Sequence, residues 1–208
     1  MIAAPGYPFL SASLALLLLG WFMGWRSLVL LALAAGLFFA YFFRDPDRQA
    51  PGEPWDIVSP ADGKVILVDA VGPSELFPSH AQRVAIFMNV FDVHVNRAPL
   101  AGWVVESRHY DGQFLAAFKS EADQVNERQV TVLERDDGRR LKLVQIAGLL
   151  ARRIIPSVKS GDNLARGQRL GMIFFGSRVD LYLPQECELK VQVGDRLKAG
   201  ISLVGRWH

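Results

Sequence analysis

The sequence has one cysteine, four histidines without metal-ligand spacing, and almost no charge in its first 43 residues. Cys187 alone excludes an intrachain disulfide framework and a cysteine-based zinc cluster. The scattered histidines give no reason to expect a metal site. Arg26 is the single charged residue before Arg44, and the remainder of the 208-residue chain is close to neutral. We therefore expect neither a metal enzyme nor a nucleic-acid-binding protein.

Two long uncharged runs, residues 8–25 and 27–43, flank Arg26. At 1.5 Å per residue, a run of about 17 residues reaches roughly 26 Å, close to the roughly 30 Å hydrocarbon core of a bilayer. The pair predicts an N-terminal transmembrane helical hairpin over residues 1–43. One spanning helix preceded by an interfacial helix is the alternative, and the number of passes stays open. A cleaved signal peptide is disfavoured, because no Lys or Arg precedes the first run and no small-residue cleavage site follows it.

The soluble part begins after a proline-rich stretch, residues 44–54, which cannot continue a helix and predicts a linker. Arg44 and Arg48 within it favour a cell-membrane protein whose soluble domain lies on the cytoplasmic side. Residues 55–208 then form one domain with short β-branched runs between Gly, Pro and Asp turns. These runs are residues 64–69, 84–88, 102–106, 129–133, 141–145, 178–183 and 188–193. Their spacing predicts a mainly β domain, resembling a barrel or sandwich.

Smaller features complete the predicted domain. Asp137-Gly138 is typical of a hairpin turn, and residues 115–122 are the best candidate for a short helix. Residues 160–171 resemble residues 194–204, each with a Gly-Asp pair and a later glycine. The resemblance fits either a pseudo-symmetric sandwich or ordinary turns that need glycine at positive φ.

Several short motifs carry candidate chemistry, although each alone is typical of a turn or a core strand. They are Phe43-Arg-Asp-Pro46, Ser59-Pro-Ala-Asp-Gly-Lys64, Phe91-Asp-Val-His-Val-Asn-Arg-Ala-Pro99, Asn126-Glu-Arg128, Gln145-Ile-Ala-Gly148 with Ala151-Arg-Arg153, and Phe175-Gly-Ser-Arg178. Taken in this order, from about residue 43 to residue 205, they resemble the phosphatidylserine decarboxylases, in particular their short bacterial and archaeal branch.

The resemblance implies a proenzyme that cleaves itself between Gly176 and Ser177 into chains 1–176 and 177–208. Ser177 would become a covalent pyruvoyl group, which decarboxylates phosphatidylserine to phosphatidylethanolamine and CO2 in phospholipid biosynthesis. A serine nucleophile needs an oriented base. The resemblance makes His94 the candidate base and Asp62 the orienting carboxylate. Long-branch members have a second histidine where this chain has Arg97, so whether His94 serves both maturation and turnover stays open.

The resemblance also implies the partners. Arg44, Arg48, Arg152 and Arg153 are candidates for binding the substrate phosphate, since guanidinium groups form forked bonds to phosphate oxygens. Arg152 and Arg153 are favoured because they lie in a family-like motif. The expected partners are a membrane phospholipid and, within the protein, the two cleavage chains as a heterodimer; homo-oligomerisation is left open. No metal, nucleic acid or separately bound cofactor is expected. The alternatives are a non-enzymatic, membrane-tethered β-sandwich adaptor, and the same chemistry on an archaetidylserine-like ether lipid.

Overall fold

The computed structural model describes residues 1–118, 122–149 and 153–207. Their contacts divide the chain into two compact units, Met1–Asp47 and Arg48–His208. The described regular elements of the first unit are helices, and those of the second unit are strands apart from one short helix.

The first unit is a helical hairpin. A 3₁₀ turn, Ala4–Gly6, leads into α1 (Tyr7–Phe22), and α2 (Arg26–Phe42) follows a turn at Gly24. The start of α1 meets the end of α2, with the rings of Phe9 and Phe39 5.2 Å apart, so the two helices are antiparallel. Residues Ala4–Phe22 are long and apolar enough to cross a membrane, whereas α2 is shorter at 17 residues. The length and apolar composition of Ala4–Phe22 support membrane association of this unit. The shorter α2 gives weaker support for a second crossing of the membrane.

The second unit contains three antiparallel sheets. In the described ranges its strands are β1 (Asp56–Val58), β2 (Gly63–Val71), β3 (Ala81–Met88), β4 (Val95–Arg97), β5 (Gly102–Tyr110), β6 (Arg128–Glu134), β7 (Arg140–Ile146), β8 (Ile154–Pro156), β9 (Asn163–Leu164), β10 (Arg169–Ile173), β11 (Ser177–Pro184), β12 (Glu188–Leu189), β13 (Arg196–Leu197) and β14 (Leu203–Arg206). The large sheet has the order β13-β2-β3-β11-β7-β6-β5-β9 and curls into a half-barrel. The small sheets have the orders β4-β10-β8 and β1-β14-β12. The predicted mainly β fold is confirmed.

The two faces of β11 have different surroundings. Val179, Leu181 and Leu183 are fully buried in the main apolar core. Arg178 and Asp180 point to the opposite face, since successive side chains alternate along a strand. There the guanidinium of Arg178 donates two hydrogen bonds to the Asp180 carboxylate, at 2.5 and 2.6 Å. Burial raises the pKa of Asp180, and the charge of Arg178 opposes that rise. Ser177 begins the strand on the apolar-core face.

The predicted helix over residues 115–122 is wrong at residues 115–118, and another predicted element is shorter than expected. Residues 119–121 lie outside the described residues, and the short helix α3 is described over Ala122–Val125. The Asn126 side chain explains the difference, because its Oδ1 accepts the N–H of Leu115 and its Nδ2 donates to the Leu115 carbonyl. These bonds hold Leu115 in a loop. The predicted strand over residues 188–193 is limited to β12.

The repeated Gly-Asp segments follow the same local path. Gly161 and Gly194 have φ of +92° and +106°, and a two-residue strand, β9 or β13, comes next in each segment. Gly167 and Gly200 then turn the chain at φ of +80° and +71°, ahead of β10 and β14. The expectation of glycine turns at positive φ is confirmed.

Candidate active site

One edge of the large sheet brings together motifs that are far apart in the sequence. β3 ends at Met88, β7 ends at Ile146, and β11, which lies between them, begins at Ser177. Ser177 pairs with Met88, and Arg178 pairs with both Phe87 and Ile146. Because neighbouring strands are antiparallel, the loops after Met88 and Ile146 and the loop before Ser177 leave the sheet at the same edge.

The backbone just before β11 is strained. Phe175 has a φ of +39°, the one positive value for a residue other than glycine in the described ranges, and Gly176 follows with a φ of +65°. An aromatic residue in this region costs about 1 to 3 kcal/mol. A Cβ added at Gly176 would meet open space, so its small size matters here for conformation and for access to its carbonyl group. The strain therefore lies next to the Gly176–Ser177 peptide bond.

The Ser177 side chain is fully buried among uncharged polar groups. Its Oγ donates to the sulfur of Met88 at 3.5 Å, and the Nδ2 of Asn96 donates to the same sulfur at 3.6 Å. The Nε2 of Gln145 in turn donates to the Oδ1 of Asn96 at 2.8 Å. A thioether is a weak, non-basic acceptor. The Met88 contact positions the Ser177 hydroxyl, and a separate base is needed to remove its proton.

The ring of His94, the predicted base, has a tautomer that follows from its hydrogen bond. The ring is fully buried, and its Nδ1 lies 3.0 Å from the backbone carbonyl oxygen of Asp92. A carbonyl oxygen only accepts, so Nδ1 carries a proton and the lone pair of the neutral ring is on Nε2. His94 directly precedes β4, whose Asn96 contacts the Met88 sulfur.

Asp62 pairs with Arg48, a contact that the sequence did not predict. Its carboxylate accepts two hydrogen bonds from the Arg48 guanidinium, at 2.5 and 2.9 Å, and one from the backbone N–H of Ala199 at 2.7 Å. The His94 ring donates from Nδ1 to the backbone carbonyl oxygen of Asp92. Asp62 thus lies in a buried ion pair with Arg48.

Comparison with known proteins decides the family. The family model described as phosphatidylserine decarboxylase matches residues 35–205. The chain belongs to the phosphatidylserine decarboxylase family. Phosphatidylserine decarboxylase proenzymes of Syntrophotalea carbinolica and Symbiobacterium thermophilum are each 45% identical to it, covering 98% and 99% of this chain and 95% of each relative. The proenzyme of Desulfotalea psychrophila is 41% identical, covering 99% of this chain and 96% of its own.

Phosphatidylserine decarboxylases of this kind are pyruvoyl-dependent, and the group forms from a serine by autocatalytic cleavage. The non-enzymatic adaptor alternative is therefore not supported. The described residues fit a pyruvoyl group at position 177. Ser177 contacts the uncharged Met88 sulfur, and Asn96 and Gln145 continue an uncharged hydrogen-bonded chain from that sulfur, as suits an uncharged ketone. The Oε1 of Gln145 is also buried without a hydrogen-bond partner among the described residues.

Of the two favoured phosphate-binding residues of this decarboxylase, one can be placed. Arg153 is exposed, and its backbone carbonyl accepts the N–H of Phe174 at 3.1 Å. It therefore lies beside the segment that carries the Gly176–Ser177 bond. Arg152 lies outside the described residues.

Large apolar side chains are exposed on the loops at this edge of the decarboxylase sheet. Phe91, Phe118 and Leu149 are 65%, 63% and 52% exposed. The Phe118 ring packs edge-on against Phe87 of β3, with centroids 6.0 Å apart, and Phe87 pairs with Arg178. We call these three residues the apolar rim. It offers a hydrophobic surface at the edge where Ser177 lies.

The sequence analysis assigned no role to Met88, Asn96 or Gln145. Asn96 and Gln145 could have been found, because each is a polar residue within a buried strand of a quoted motif. Met88 could not, because a methionine in a β-branched run is typical of any core. Arg48 was predicted to be a membrane-proximal charge and a contact of the head-group phosphate, whereas the structure pairs it with Asp62.

Proposed function

We propose that Ser177 is the residue that becomes the pyruvoyl group of this decarboxylase, after cleavage of the Gly176–Ser177 bond. The observation that carries the proposal is the position of Ser177, buried next to the strained Phe175-Gly176 turn and hydrogen-bonded to Met88. The chain would thus mature into residues 1–176 and 177–208.

Maturation uses residues of the chain itself. His94 takes the hydroxyl proton, and Ser177 Oγ attacks the Gly176 carbonyl carbon, so that an ester forms as the peptide C–N bond breaks. A base then removes the Cα proton of residue 177, a Cα–Cβ double bond forms as the Cβ–Oγ bond breaks, and the carboxylate of Gly176 is released. Water replaces the remaining nitrogen, which leaves as ammonia, and a ketone stays at position 177. Asp62 supports maturation by fixing its own loop through hydrogen bonds from Arg48 and from the backbone N–H of Ala199.

In turnover, a pyruvoyl group at position 177 would supply the electron sink for decarboxylation of the lipid's serine head group. His94 returns a proton to the carbon that has lost CO2, as a general acid. Arg153, together with Arg152, binds the phosphate of the head group. The apolar rim contacts the acyl chains near the head group. The two positive residues Arg44 and Arg48 favour the cytoplasmic side for the catalytic unit.

The two cleavage chains remain associated because their strands alternate within the sheets. β11 belongs to the small chain and lies between β3 and β7 of the large chain. β14 also belongs to the small chain and pairs with β1 of the large chain. Separating the chains would break hydrogen bonds along both borders of β11.

Intact mass of the detergent-purified protein under denaturing conditions tests this proposal. We expect a small chain beginning at position 177 with a ketone in place of the amine, and an added amine mass after borohydride reduction with an amine. Ser177→Ala is expected to remain uncleaved and inactive. A single unmodified 208-residue mass from folded wild-type protein would overturn the assignment of Ser177, and so would an uncleaved wild-type protein that decarboxylates lipid.

A further inference from the structure

The side-chain amide of Gln145 is held in one position. Its Nε2 donates to Asn96 Oδ1 at 2.8 Å and lies next to the backbone of Gly171, where an added Cβ would be 3.4 Å away. Both amides are completely buried. Gln145 therefore has little freedom to turn toward another partner.

The orientation of the two amides follows from the Met88 sulfur. A thioether sulfur can only accept, so the Asn96 group that faces it must be the Nδ2 donor. The Oδ1 of Asn96 then faces Gln145, whose nearer atom must be the Nε2 donor. Turning both amides over would place an oxygen against the sulfur. The atom of Gln145 left over is therefore an acceptor, Oε1.

This acceptor is buried and has no hydrogen-bond partner among the described residues. A buried polar atom without a partner costs stability, and in a native protein it calls for an explanation such as a ligand. Gln145 pairs with Val179, so it lies on the same face of the sheet as Ser177 and diagonally across from it. Such diagonal neighbours are within reach of long side chains.

We propose that Gln145 is a substrate-binding residue, whose Oε1 accepts a hydrogen bond from the amino nitrogen of the lipid head group. This inference rests on the proposed function of Ser177, since that nitrogen must approach the carbonyl carbon at position 177. A serine head group has a protonated primary amine, and hydrogen bonds to charged donors are the stronger kind. A trimethylated nitrogen has no N–H to donate, so Gln145 also selects against lipids with a quaternary head group.

The test uses the full chain in detergent with Gln145→Met, which keeps the length of the side chain and removes both the Oε1 acceptor and the Nε2 donor to Asn96. Gln129→Met is the matched control. Gln129 is buried, pairs directly with Gln145 on the neighbouring strand, and bonds to Ser107. Each variant is incubated with glycerophosphoserine and cyanoborohydride, and the amine adduct on the small chain is measured by mass. Self-cleavage is measured in the same spectra.

We expect Gln145→Met to cleave itself as the wild type does and to form the adduct about 10- to 100-fold more slowly at low amine concentration. The Gln129→Met control should form the adduct at the wild-type rate. Equal rates in Gln145→Met and wild type would overturn the inference. A folded Gln145→Met chain that does not cleave would also overturn it, because Gln145 would then act in maturation.

If Gln145→Met does not fold, Gln145→Glu provides the second test. It retains an oxygen acceptor, and we expect adduct formation that rises with pH as the buried carboxyl loses its proton. A cleaved Gln145→Glu chain with the wild-type pH profile would overturn the inference. A wild-type chain without a ketone at position 177 would instead refute the proposed function, so the two failures are distinguishable.

Discussion

The carbonyl oxygen of Gly176 lies against the Cα of Gly148, so close that a Cβ at position 148 would overlap it. The backbone after β7 therefore sets the position of the carbonyl group that Ser177 would attack. Asn126 holds this backbone in turn, because its Nδ2 donates to the carbonyl of Ala147 at 2.8 Å.

Gly148→Ala should stop self-cleavage or slow it by about 100-fold, because a displacement of about 1 Å at a reacting group can have that effect. The fraction of cleaved chain over time, measured by intact mass, is the readout. Gly72→Ala is the control, since a Cβ there meets open space. Wild-type cleavage in Gly148→Ala would show that this contact does not set the carbonyl position.

Arg48→Met should lower the free energy of unfolding by about 3 kcal/mol, because it leaves the buried Asp62 carboxylate without its cation. Thermal unfolding in detergent measures the loss. Arg196→Met is the control, since Arg196 is 70% exposed and 3.9 Å from Asp92. The proposed role of Asp62 works through Arg48 and Ala199. Asp62→Asn and Arg48→Met should therefore both slow self-cleavage below their melting temperatures, whereas the Arg196→Met control should not; wild-type cleavage in Asp62→Asn would refute this role.

Acid stability should depend on the pair between Asp56 in β1 and Arg206 in β14. The Arg206 Nε donates to Asp56 Oδ1 at 2.6 Å, and this hydrogen bond lowers the pKa of Asp56 from its usual 3.8. The folded state thus releases this proton more readily than the unfolded state. The pair stabilises the fold above about pH 3.8, and this contribution is lost as the pH falls below that value.

Arg206→Gln removes the cause of the lowered pKa, so the midpoint of acid unfolding should move to higher pH. Circular dichroism of the cleaved protein during acid titration measures the midpoint. Lys190→Gln is the control, because Lys190 forms an exposed ion pair with Glu188 in the same small chain. An unchanged midpoint in Arg206→Gln would contradict the pKa assignment.

The apolar rim should matter for substrate held in a bilayer. Phe118→Ser is expected to raise KM several-fold for phosphatidylserine in vesicles and to leave kcat for a short-chain, soluble phosphatidylserine unchanged. Trp103→Ser is the control. Trp103 is 47% exposed, but it lies at the start of β5, away from the edge of the sheet where Ser177 lies. Equal effects of Phe118→Ser on both substrates would indicate a change within the catalytic site itself.

The strand pattern was predictable where burial alternates along the chain. The predicted runs near β2, β3, β5, β6, β7 and β11 coincide with strands because one face of each packs into a core. The apolar helices and the Asp137-Gly138 turn were equally local signals. The predicted helix is wrong at residues 115–118 because a side chain eleven residues along, Asn126, forms hydrogen bonds with the backbone of Leu115. No local pattern reports such a contact.

By itself, the sequence determined the two-part organisation, the mainly β catalytic unit and the family motifs around Ser177 and His94, since each depends on residues close together along the chain. Only the tertiary structure decided that Asp62 pairs with Arg48 and that a hydrogen-bonded chain connects Ser177 to Met88, Asn96 and Gln145. These neighbours come from strands of two sheets. Their meeting depends on strand order and register, which are set by packing over the whole core rather than by any single segment.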